Sequence, residues 1–273
     1  MLPLLVYFVT YCLCLASIGS YAAAFTVRWP VKCHHNWQKE AHQLLNIPFK
    51  KTSERPKLGH RSCCPHCGQT LKWKDLIPII SFIRLKGHCR HCNQAISLRY
   101  PVIESLHIVS CLPLLWLSND WLTLALYTCI MSSLITSAFI DIEHHLIPDQ
   151  CITVLVSCGL LLGIISNTLL SSVVGMIVGF YLIIVVRWCY TVVRKQEGIG
   201  LGDAKLIAAL GAWLGVSALP SLLLCASVGG ILYTVVFRRT GSDLIAFGPL
   251  LIISAILVFY SSLWKNTLLL LSA

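Results

Sequence analysis

Long apolar stretches dominate the chain, and short polar stretches separate them. Eight apolar runs stand out: Leu2–Phe25, Val102–Leu117, Trp121–Ile140, Cys151–Ile165, Val173–Tyr190, Leu206–Leu219, Leu222–Phe237 and Leu244–Leu263. A helix needs about 20 apolar residues to span a bilayer, within a range of about 17–25. Most runs meet or approach that length, so the pattern predicts an all-α polytopic membrane protein with about eight transmembrane helices. Leu206–Leu219 is short and precedes Pro220. It reads either as a short span or as half of a re-entrant pair with the next run. One polar interval, residues 28–101, is long enough to be a water-facing insert. Within it, Trp37, Ala41, Leu44 and Leu45 share a helical face, with Lys39 and Glu40 opposite. That spacing predicts a short amphipathic helix over Trp37–Leu45 lying at the bilayer surface. Pro48 and Pro56 bracket a loop. The organisation expected is a first transmembrane helix (1–27), a loop domain (28–101) and a membrane body (102–273).

Composition agrees with the pattern. Of 273 residues, 56% are hydrophobic and 12% charged, half the share of about 25% usual in soluble domains. The first run is a poor signal peptide. Ala22–Ala24 loosely resembles a cleavage site, but no Lys or Arg precedes the run and Arg28 follows it.

Charge placement predicts the topology. Fourteen of the 21 Lys and Arg residues lie between Arg28 and Arg99, and such residues accumulate on the cytoplasmic side. With the insert inside, alternation puts the N-terminus outside. Asp141–Asp149, Arg194–Lys205, Arg238 and Arg239 then fall inside, and Ser118–Asp120 and Ser166–Ser172 outside. Only Lys265 is a basic residue on the outer side. The net charge of +10 is therefore chiefly a topology signal, with the bilayer and its anionic headgroups as partner. No interleaving of basic and aromatic residues points to nucleic acid.

Fourteen cysteines are present. Eight sit in apolar runs, where free cysteine behaves as a small hydrophobe. Four of the rest form two Cys-x-x-Cys pairs, Cys64/Cys67 and Cys89/Cys92, with 21 residues between. Each pair can aim two thiolates at one point, and four thiolates close a tetrahedral Zn²⁺ site. Such a site has no open position, so it is expected to be structural. A cytoplasmic setting favours metal over disulfide. Gly68 and Gly87 flank the pairs and permit tight turns. His66 and His91 lie inside the pairs as alternative ligands, and Cys33, His34 and His35 form a weaker second candidate.

Only eleven acidic residues occur. Glu40, Glu54 and Asp75 fall in the insert, Glu104 opens the second apolar run, and Asp120 and Asp243 lie near loop ends. The remaining five, Asp141, Glu143, Asp149, Glu197 and Asp203, all fall at the expected cytoplasmic boundary. Asp141 ends the third run and Asp203 opens the sixth. Ionisable residues at membrane depth usually face the bundle interior and mark function. Two carboxylates brought close share one proton, so that one can activate water while the other polarises a carbonyl. That is aspartyl-protease chemistry. The glycines around Asp203 would let a substrate backbone approach. The alternative for Asp203 and Asp149 is helix capping. A proton or cation relay in a membrane transporter also suits paired carboxylates, as does a scaffold whose zinc ribbon docks partners and whose acids are caps.

Four segments in order carry a resemblance: "GSYAAAFTVRWP" (Gly19–Pro30), the cysteine-bearing stretch Arg61–Glu104, "FIDIEHHLIPD" (Phe139–Asp149) and "GLGDAKL" (Gly200–Leu206). Together they resemble the type IV prepilin peptidases, membrane aspartyl proteases of the GxGD type. The resemblance covers nearly the whole chain. It implies a catalytic pair at Asp141 and Asp203, with Asp149 in the same motif but not a catalyst. It also implies a location in the bacterial inner membrane, with the active site and the zinc loop cytoplasmic. The implied reaction is removal of the basic leader from prepilins or pseudopilins, after a glycine. Relatives that keep the cysteine-bearing loop also N-methylate the new terminus with S-adenosylmethionine. For that donor Glu104, Arg99 and the insert are the candidate contacts. Two departures stand out: "GSYAAAF" replaces bulkier residues, and Asn93 stands where a glycine is common.

Overall fold

A computed structural model describes residues 2–48, 62–64, 66–118, 120–195, 200–237 and 246–272. Glu54, Pro56, Arg61, Glu197, Arg238, Arg239 and Asp243 lie outside the described residues. Where described, the eight apolar runs fall largely on helix, and no strand occurs among the described residues.

Residues 1–112 form one compact unit. Its spine is α1 (Leu2–Leu44), 43 residues long. At 1.5 Å per residue it extends about 64 Å, about twice the hydrocarbon thickness. No separate amphipathic helix exists at Trp37–Leu45; that segment is the last part of α1. The correction has a local cause. Between Phe25 and Trp37 there is no glycine, and Pro30 removes one backbone donor without ending the helix. Further on come a short α2 (Ile80–Arg84) and α3 (Arg99–Cys111), which packs on α1. The contact is close: a Cβ on Gly19 would lie 3.1 Å from the Glu104 Cα. The Tyr11 hydroxyl donates to the Cys111 carbonyl at 3.3 Å.

Residues 113–273 form the second unit. A single turn, α4 (Leu114–Leu117), precedes six helices. These are α5 (Trp121–His144), α6 (Asp149–Ile165), α7 (Leu169–Arg194), α8 (Leu201–Leu214), α9 (Leu219–Phe237) and α10 (Gly248–Ser272). The second apolar run is thus not one helix: α3 ends at Cys111, and the next helix starts beyond Pro113. Asp120 caps α5 by accepting the Thr123 amide at 3.0 Å. Among the described residues, four helical stretches are long and apolar enough to cross a membrane: Leu5–Leu44, Trp121–His144, Leu169–Arg194 and Val216–Val236. Shorter apolar helices, Asp149–Ile165 and Gly248–Trp264, accompany them.

The second unit is built around α8. Its 14 residues span about 21 Å, less than the bilayer core of about 30 Å. Residues Leu206 to Trp213 are all buried, and α6, α7 and α10 pack against it. Small residues set those distances. A Cβ on Gly211 would fall 2.3 Å from the Gly175 carbonyl oxygen, and one on Gly175 2.5 Å from that of Gly211. On the other side, a Cβ on Gly159 would lie 2.9 Å from the Trp213 backbone. In lipid, helix association has no hydrophobic drive, and contact of backbones through small residues supplies the packing instead. By contrast α7 and α9 expose apolar side chains along their lengths, Tyr181, Val185, Val193, Ile231 and Val235 among them, as a lipid-facing surface should.

Gly211→Ala should therefore destabilise the second unit by about 1–3 kcal/mol through overpacking, read as a lower thermal midpoint in detergent. Gly229→Ala, whose Cβ would meet only a Leu250 methyl at 3.7 Å, should leave the midpoint near that of the unsubstituted protein.

Candidate active site and metal centre

One helix end and three helix starts meet where the acidic motifs lie. Asp141 sits in the last turn of α5, whose C-cap His145 adopts a left-handed conformation (φ 53°) and donates its amide to the Asp141 carbonyl. A carboxylate at a helix C-terminus opposes the helix dipole, so this position is not a cap. Asp141 is nonetheless 6% exposed, and its Oδ2 has no hydrogen-bond partner among the described residues.

Asp203 stands in the first turn of α8 and is half-buried. The N-cap there is Gly200, and no side-chain cap bond is made. The capping reading of Asp203 is therefore not what the geometry shows. Its carboxyl lies within range of the Asp141 charge, and so does the His145 ring.

Asp149 opens α6 after Pro148, again without a side-chain cap. Its carboxylate accepts from Lys205 Nζ on α8 at 2.6 Å. This pair ties the start of α6 to the helix that carries Asp203. Between these helices the Ile147 side chain fills the floor. Its Cδ1 would lie 3.6 Å from a Cβ on Gly202 and 3.4 Å from one on Gly248.

The crowding is not where the sequence suggests. Cβ atoms on Gly200 and Gly202 would meet neighbours at ordinary van der Waals distances, the closest 3.6 Å. At Gly248, the first residue of α10, a Cβ would fall 2.5 Å from Asp141 Oδ2. Gly248 and Ile147 are the site residues that reading the sequence misses. The available signal was the start of α10: Phe247 precedes Gly248 and carries no capping oxygen.

The metal centre lies in the first unit. The Sγ atoms of Cys64, Cys67, Cys89 and Cys92 all fall within 4.8 Å of one another and could hold a metal ion. Two matching knuckles place them. In the first, Cys64 donates its amide to Gln69 O at 3.0 Å, Gly68 donates to Cys64 O at 2.9 Å, and Leu71 donates to Ser62 O at 2.8 Å. In the second, Cys89 donates to Gln94 O at 2.8 Å, Asn93 to Cys89 O at 3.0 Å, and Ile96 to Gly87 O at 2.7 Å. Gly68 and Asn93 occupy equivalent left-handed positions, φ 69° and 56°. Asparagine is the residue after glycine that best tolerates that region, which accounts for Asn93. The Cys92 and His91 amides pull the Cys89 thiol down to about 7, toward the thiolate a metal needs. Asp75, its side chain 3% exposed, pairs with both Arg84 and Arg90 and braces the second knuckle. His66, His91, Cys33, His34 and His35 join no metal-ligating group among the described residues.

Glu104 supports the loop of its own unit. Its Oε2 accepts the Ile79 amide at 2.8 Å, at a residue held at φ 58°, and Ser20 bonds the same carboxyl.

Comparison with known proteins adds to this geometry. The family model described as Bacterial Peptidase A24 N-terminal domain matches residues 13–118, and Type IV leader peptidase family matches residues 128–235. The chain is 34% identical to a type 4 prepilin-like proteins leader peptide-processing enzyme of Escherichia coli O78:H11, over 89% of this chain and 90% of that protein. The chain belongs to the type IV leader peptidase family. Within this family it is 35% identical to a prepilin leader peptidase/N-methyltransferase of Aeromonas hydrophila, over 92% of this chain and 88% of that one. It is 34% identical to the protein of the same name from Neisseria gonorrhoeae, over 91% and 89%. No solved structure matches the chain. Membership of a leader peptidase family sets aside the transporter reading of the two aspartates.

The equivalence of Gly68 and Asn93 has a measurable consequence. Asn93→Gly should retain bound metal, whereas Asn93→Val, β-branched at φ 56°, should lose it to a competing chelator sooner. Metal per chain after dialysis against graded chelator measures this.

Proposed function

We propose that this protein is an aspartic endopeptidase of the bacterial inner membrane that removes the basic leader from type IV prepilins or pseudopilins, and that it also N-methylates the new N-terminal residue. The observation that carries the reading is the convergence of Asp141 and Asp203 from the ends of two different helices, in a chain of the leader peptidase family. The names of its relatives supply both activities.

The chemistry follows from the site. Close carboxylates hold one proton between them. The ionised member takes a proton from water as it attacks the scissile carbonyl; the protonated member hydrogen-bonds the carbonyl oxygen and then passes its proton toward the departing amine. Asp149 and Lys205 pair across the two helices, and Ile147 places an apolar side chain beside Gly202 and Gly248. The half-buried position of Asp203 leaves one open side for substrate. In this reading the prepilin's apolar helix lies in the bilayer and its basic leader lies on the cytoplasmic side. Basic residues at this end of the unit, Arg194, Lys195 and Lys205, support that orientation by the distribution of positive charge. The N-terminus is then outside and the cysteine loop cytoplasmic.

For the metal, Zn²⁺ fits the donor set. Four thiolates at a Zn–S distance of about 2.3 Å require S···S separations of about 3.8 Å, and Cys64 Sγ and Cys92 Sγ are 3.8 Å apart. Such a metal is structural. S-adenosylmethionine as methyl donor supplies an electrophilic methyl group; the chain's own part is to present the new amine unprotonated. Glu104, which accepts the Ile79 amide, also supports the loop.

Asp141→Asn and Asp203→Asn should each lower cleavage of a prepilin in membranes by at least about 100-fold, with the protein still inserted. Normal processing by either variant would sink the dyad. Purified protein should carry about one zinc per chain, and Cys64→Ser should abolish its retention.

A further inference from the structure

We propose that Gly248 is a positioning residue of the dyad: the N-terminus of α10, whose N-cap residue Phe247 carries no capping oxygen, receives the Asp141 carboxyl of α5 in place of a cap. The inference rests on the dyad reading and goes beyond it by adding a third element to the site.

Three observations meet here. The first is the helix start. α10 runs 25 residues from Gly248, and Leu251 donates its amide to the Phe247 carbonyl at 3.1 Å, which makes Phe247 the N-cap. A phenylalanine side chain accepts no hydrogen bond. The first amides of a helix are otherwise satisfied by a capping oxygen or by a ligand, and Pro249 removes one of them. The second is the acid. Asp141 is 6% exposed, and its Oδ2 has no hydrogen-bond partner among the described residues. A buried carboxylate oxygen without a partner is costly. The third is their approach. The Gly248 amide faces the Asp141 carboxyl, and an added Cβ would fall 2.5 Å from Oδ2 and 3.1 Å from Cγ.

These facts explain one another. The positive end of α10 is where a buried carboxylate is electrostatically favoured. Its own helix offers the opposite, since Asp141 stands at the negative end of α5. The orientation of Asp141 is thus set by α10, and a Cβ at residue 248 would force the Asp141 carboxyl to shift. Ile147, against both Gly202 and Gly248, keeps the two helix starts at their spacing.

The test compares kcat and KM of full-length protein in detergent, with a prepilin as substrate. Gly248→Ala should lower kcat by about 10- to 100-fold, the cost of a small misplacement of a reacting group, with KM unchanged. Gly229→Ala, on the neighbouring helix α9, should change neither. Phe247→Ser covers the case in which Gly248→Ala fails to fold. It adds no bulk beside Asp141 but gives α10 a competing cap oxygen, and it should lower kcat with KM unchanged. Wild-type kcat in both variants overturns the proposal. So does a raised KM with unchanged kcat, because that marks altered substrate packing instead. Asp141→Asn in the same assay separates the two levels. If it cleaves normally, the dyad reading has failed; if it is inactive while Gly248→Ala and Phe247→Ser cleave normally, only the role of Gly248 has failed.

Discussion

The contact of two backbones at Gly175 and Gly211 governs the second unit. It lets α7 and α8 approach until each carbonyl would touch a Cβ on the other. Gly159 does the same for α6 against Trp213. The helix so clasped is too short to cross the hydrocarbon alone, and its buried face is nearly its whole surface. Its depth is therefore set by its neighbours rather than by its own length. Since Asp203 lies in its first turn, the position of the acid is fixed by glycine contacts two to three turns away.

Helix electrostatics divides the two acids. Asp203 stands at the favourable end of α8 and Asp141 at the unfavourable end of α5. Asp203 is favoured by its own helix alone. Asp141 is not, because nothing in the geometry of α5 rewards a carboxylate there. The pair joins one acid that its helix favours to one that its helix opposes, and the second depends on support from another element.

Much of this was legible in the sequence. The cysteine spacing specifies two knuckles, because Cys-x-x-Cys with a left-handed residue after it is a local motif that needs no distant partner. The eight runs likewise announce their helices, since hydrophobic length is a local property. The break at Pro113 and the continuity of α1 were not legible. A proline signals only a lost donor, and whether the helix stops depends on what packs beside it. Gly248 was hidden for a different reason. Its crowding comes from Asp141, more than a hundred residues earlier, whereas Gly200 and Gly202, conspicuous beside Asp203, have room to spare. Asn93, a departure by residue type, proved equivalent to Gly68 once both φ angles were known.

The four thiols are not equally exposed. Cys64 and Cys89 are buried, while Cys67 and Cys92 face outward, one from each knuckle. A metal held by this set has a closed rear and an accessible front. Exchange of such a metal would begin at Cys67 and Cys92, the pair that solvent reaches, while Cys64 and Cys89 hold it from behind.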